Sequence, residues 1–95
     1  MTPEPRTLDR TFTAPIGVDV KGEVWSCVEM PGSVDYFGTG KSVRDVATVD
    51  GQPVTAAFRP TGTGGHMLSI SAKLRKLIGK DIGDQVTVHL SERLS

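Results

Sequence analysis

Cys27, His66 and His89 are the only thiol and imidazole side chains in the 95 residues. Together they could ligate zinc, or Cys27 and a histidine could form a thiol–imidazole pair. None stands at a short ligand spacing from another, and no carboxylate occupies a diagnostic offset. They therefore read as satisfied or solvent-facing side chains, and no metal or other cofactor is expected. No serine, histidine and acid follow the order and elbow of an acyl-transfer triad. His66 still stands apart, because it opens a strand directly after Gly64 and Gly65.

The run Gly38-Thr39-Gly40-Lys41-Ser42 resembles the end of a phosphate-binding loop. That loop needs glycine where Asp35 stands and a helix where a strand is expected, so the match is set aside. Residues 61–65, rich in glycine, could turn backbone N–H groups toward an anion but read first as a turn. Asp45 interrupts the apolar row Val43, Ala47, Val49. A bulge turning it to solvent is the simplest account; the other is a buried acid needing Arg44, Arg59 or a ligand. Trp25 is assigned to the core, with the floor of a pocket beside Cys27 as its other use. Lys73, Arg75, Lys76 and Lys80 form the one basic cluster, read as the solvated face of a short helix or as phosphate contacts.

These residues must be held by short strands. Residues 1–9 read as a mobile arm before a single domain spanning 10–95. Strands are expected over 10–16, 24–30, 42–49, 54–59, 66–71 and 85–91, with a turn at 17–22. Asp50-Gly51 is the strongest hairpin signal, because both residues tolerate positive φ. One helical turn capped by Ser33 is expected over 32–38. A short helix over 72–78 is expected to bury Leu74, Leu77 and Ile78 and to end at Gly79. Strand, short helix, glycine and strand occur over 24–49 and again over 66–90, a faint internal repeat. Two such units could close one small, mostly β barrel and remove its exposed edges.

Eleven basic side chains balance eleven acidic ones, which weakens the electrostatic case for polyanion binding. Residues 1–50 nevertheless carry five basic and eight acidic groups, against six and three in 51–95. No apolar run could span a bilayer and no signal-peptide pattern opens the chain, so a cytoplasmic protein is expected. The single cysteine suits a reducing compartment.

The segment 65–79 followed by 83–90 is similar to the strand, Leu-Arg helix, Gly-Asp turn and strand of the AbrB and MazE swapped-hairpin barrels, which are dimeric bacterial DNA-binding regulators and antitoxins. The wider order, with residues 25–31, the Val49-Asp50-Gly51 hairpin, the Gly64-Gly65 loop and the Leu-Arg helix, resembles a small-barrel family of unknown function, DUF number nineteen-oh-five. That resemblance covers about residues 10–92 and implies a closed double-split β-barrel with one or two short helices and no established catalytic residues. Asp45 departs from its pattern.

Three functions follow as expectations. The first is a non-enzymatic binding module, monomeric or homodimeric and not membrane-bound. It would present Gly64, Gly65, His66, Arg59, Asp45 and Trp25 to a small molecule or protein. The second is an AbrB-like dimer meeting DNA through Lys73, Arg75, Lys76 and Lys80. The third is a small enzyme using Cys27 or His66.

Overall fold

The computed structural model describes residues 6–62 and 64–94. Its main sheet has six antiparallel strands in the order β1-β8-β5-β6-β7-β4, and β2 and β3 form a separate two-stranded ribbon. The strands are β1 (Arg6–Pro15), β2 (Val18–Val20), β3 (Glu23–Trp25), β4 (Cys27–Met30), β5 (Val43–Val49), β6 (Gln52–Pro60), β7 (His66–Ser69) and β8 (Gln85–Arg93). Two helices, α1 (Ser33–Phe37) and α2 (Ala72–Ile78), follow β4 and β7.

Alternation decides which residues go inside. Val43, Ala47 and Val49 of β5, Ala56 and Phe58 of β6, Leu68 of β7 and Val86, Val88 and Leu90 of β8 all point into one buried cluster. Half-buried Val54 packs against it. Asp50 and Gly51 take φ of 48° and 84°, as the β5–β6 turn requires. The internal repeat is visible in the pairing: β4-α1-β5 and β7-α2-β8 have the same element order, and β4 pairs with β7 while β5 pairs with β8.

Several expectations are corrected. The sheet is an open half-barrel, because β1 and β4 each have a sheet neighbour on one side only. Two prolines weaken the seam between these two strands. Gly17 N–H donates to the Cys27 carbonyl at 2.7 Å, pinning one end of the gap. All five pairings within the main sheet are antiparallel, so continuing the Gly17–Cys27 register would set Pro15 opposite Glu29 and Pro31 opposite Thr13. Neither proline has an N–H to donate, and the closing ladder loses alternate bonds.

The strand expected over 24–30 breaks at Ser26, whose carbonyl accepts from Ile70 N–H and whose hydroxyl donates to the Ile70 carbonyl. Trp25 is therefore left on the ribbon, 43% exposed, instead of in the core. Leu77 is also exposed, while Leu74 is buried and Ile78 half-buried, because a seven-residue helix turns only a narrow stripe toward the sheet. Strand β1 begins at Arg6, so pairing with β8 absorbs residues 6–9 of the expected arm; residues 1–5 lie outside the described residues. Gly32 rather than Ser33 precedes α1, with no side-chain cap.

Candidate functional site

The gap between β1 and β4 holds an open cleft of about 750 Å³. Thr13, Ala14 and Pro15 form one wall and Glu29, Met30 and Pro31 the other, with Ser33 and Asp35 of α1 and the Gly64-Gly65 loop completing it. Gly65 has a steric role here, whereas a Cβ on Gly64 would meet nothing within 4 Å. A Cβ on Gly65 would lie 3.0 Å from Glu29 Oε2, so the missing side chain makes room for this carboxylate beside the loop. Thr61 closes the loop stem, donating its N–H to the Gly65 carbonyl at 2.9 Å while its Oγ1 accepts from Gly65 N–H at 3.3 Å.

The strand edges facing the cleft can be read from hydrogen bonds. Cys27's carbonyl turns away from β7 to meet Gly17, and alternation turns the Glu29 N–H and carbonyl the same way. Ile16 spends its N–H on Asp84 and its carbonyl on Gly83, on the β8 side, so the Thr13 backbone groups face away from β8. The Thr13 and Glu29 carbonyls thus face the gap opposite Pro31 and Pro15, which have no N–H to donate to them.

Behind Ser33 lies His66, fully buried. Its Nε2 is 2.8 Å from the Lys41 carbonyl, which can only accept, so the ring proton resides on Nε2. Its Nδ1 then accepts from the Ser33 hydroxyl at 2.8 Å. Both ring nitrogens are satisfied, and Phe37 packs edge-on at 5.4 Å. His66 thereby ties the start of α1 and the loop after it to β7. The Ser33 side chain is itself buried.

Asp45 lies deeper, fully buried in the inward row of β5, contrary to the solvent-facing bulge expected. A register shift does occur nearby, between Val46 and Ala47 on the β8 side, but it adds its extra residue to β8 and leaves Asp45 inward. Neither carboxylate oxygen has a hydrogen bond. Burial pushes Asp45 up to about 6, against the opposing pull of Arg93 and His66. Arg93, rather than Arg44 or Arg59, is the guanidinium that acts on it, and His66 adds to its pull only when its ring is protonated. The Arg93 guanidinium donates to the Phe37 carbonyl at 2.7 Å and lies over the Phe37 ring.

The structure thus brings Gly64 and Gly65 to the cleft and sets His66 directly behind it. It does not bring Arg59, Asp45 and Trp25 to the same surface. Arg59 is exposed on the outer side of β6, where its charge reaches Cys27, and Trp25 is on the ribbon. Cys27 packs with Val18 and Met67, and burial pushes its thiol up despite Ser69 and Arg59. Among the described residues no group of three His, Cys, Asp or Glu side chains could hold a metal. In the basic cluster, Arg75 pairs with Asp81 at 2.8 Å and Lys80 with Asp50 at 2.7 Å, while Lys73 and Lys76 stay exposed. Sequence reasoning missed Thr13, Glu29 and Asp35 as cleft residues. The prolines at 15 and 31, two residues from Thr13 and Glu29, were the available signal.

A family model for a domain of unknown function, DUF1905, matches residues 12–90, and the chain belongs to that family. No curated protein matches the chain.

Proposed function

We propose that this DUF1905 domain is a non-enzymatic binding module that receives a small molecule or a segment of a protein partner in the cleft between β1 and β4. The carrying observation is the cleft itself, a cavity of about 750 Å³ at the one place where the sheet fails to close. It is large enough for a ligand of drug-like size and carries convergent polar groups, which is what a preformed site requires. His66 is a positioning residue in this reading, because it fixes Ser33 and α1 against the cleft. The lone buried Cys27 suits the reducing cytoplasm, and among the described residues no helix is long and apolar enough to cross a membrane.

Native mass spectrometry of protein purified without denaturation, paired with a fragment screen read by amide NMR, tests the site. Thr13→Trp should fill the cleft. Retained mass or fragment shifts at residues 13, 29, 33, 64 and 65, abolished in Thr13→Trp, are expected. Ligand contacts that persist in the variant, or that map to α2, would overturn the assignment.

A further inference from the structure

Building on the cleft as the binding site, we infer that its ligand is an extended peptide segment bearing a basic side chain, hydrogen-bonded along the unpaired strand edge. Two independent features carry this. The first is the backbone. Edge carbonyls at Thr13 and Glu29 face the gap, and Pro31 and Pro15 opposite them have no N–H to donate. An exposed edge is a template for strand addition, in which main-chain bonds supply affinity and alternate side chains enter flanking pockets.

The second feature is charge. Glu29 and Asp35 line the cleft, no lysine or arginine does, and neither carboxylate is in an ion pair among the described residues. Gly65 keeps the space that the Glu29 carboxylate occupies. A guanidinium or ammonium group placed here meets two acids and no competing cation. Near the pinned end, Val24 and Ile82 flank Gly17, both substantially exposed, and offer an apolar contact to a neighbouring side chain of the same segment.

The test uses the intact protein and a capped five-residue peptide alternating threonine with arginine. Controls are the same peptide with glutamate for arginine, its backbone N-methylated forms in both phases, and 4-guanidinobutylamine as a free cation. Titration followed by amide NMR should shift Thr13 and Glu29. Binding should weaken at least tenfold with glutamate, with N-methylation in one phase, and in the double variant Glu29→Gln, Asp35→Asn.

Equal binding of the glutamate peptide would overturn the charge assignment, and indifference to N-methylation in both phases would overturn strand addition. Equal affinity for the free guanidine would replace the peptide with a small cation. No peptide binding at millimolar concentration overturns this inference. The cleft reading survives that result if a retained molecule or fragment is still displaced by Thr13→Trp, and falls with it if none is.

Discussion

Asp45 is the residue whose environment is least ordinary, and its protonation should be readable in the stability of the whole fold. In the folded chain it holds its proton to about pH 6, against about 4 in the unfolded chain. The folded state therefore binds the extra proton between those values. The Asp45 contribution to stability is complete below about pH 4 and is lost as pH rises through about 6, a loss of about 3 kcal/mol at ~1.4 kcal/mol per unit. Asp45→Asn should remove this loss, so urea denaturation should find the variant about 3 kcal/mol more stable than the parent at pH 8 and nearly equal at pH 4. A parallel pH profile for the two proteins would show that Asp45 does not titrate there.

Asp50 has the opposite sign. Burial alone would raise it, but the Lys80 hydrogen bond and charge and the Thr87 N–H hold it below the ordinary range. Its contribution is present above the unfolded pKa and fades as pH falls. His66 makes a further prediction: His66→Ala strands the Ser33 hydroxyl and the Lys41 carbonyl and leaves a void, at a cost of about 3 kcal/mol. A measured loss below about 1 kcal/mol would mean that His66 is not the clamp on α1.

Elements in this fold are short, and their turns decide their register. Two hairpins use the same turn chemistry, but only one was legible as a hairpin, since the turn expected over 17–22 contains strand β2. Asp50-Gly51 announces itself, whereas Lys21-Gly22 places a lysine at φ 52° with Asp19 Oδ1 accepting from Gly22 N–H at 3.0 Å. A left-handed conformation costs an ordinary side chain about 1–2 kcal/mol. Lys21→Asn should therefore stabilise the domain by a fraction of that amount, and Gly51→Ala, at φ 84°, should destabilise it by about 1 kcal/mol. Thermal melts of both variants check the signs. The break at Ser26 was illegible locally, because residues 24–30 have strand composition throughout. Only the competing partners, Val18 for Trp25 and Ser69 for Cys27, separate the ribbon from the sheet.

Across the whole molecule, the seam between β1 and β4 governs both shape and the proposed function. Restoring the missing donors with Pro15→Thr and Pro31→Val should let β1 and β4 pair. The Glu29 amide should then exchange at least tenfold more slowly, and occupancy of the cleft should fall. Unchanged exchange would mean that something other than the prolines holds the seam open. Charge also looks different at this scale. The acidic first half and basic second half do not form two poles, because β8 lies between β1 and β5. Lys80 meets Asp50 and Arg93 acts on Asp45, so contacts between the halves offset part of the asymmetry.

What the amino-acid order determined alone was local and periodic: the alternation that fills the core, the Asp50-Gly51 hairpin, the two short helices, the repeat and the family pattern. Those features depend on a residue and its near neighbours, so they survive without a fold. Tertiary structure decided the rest. Trp25 left the core, Asp45 was enclosed without a hydrogen bond, and β1 and β4 met without closing. Each outcome depends on what a distant strand offers across a gap, and for the last of them the two prolines withhold the N–H groups that closure would have used.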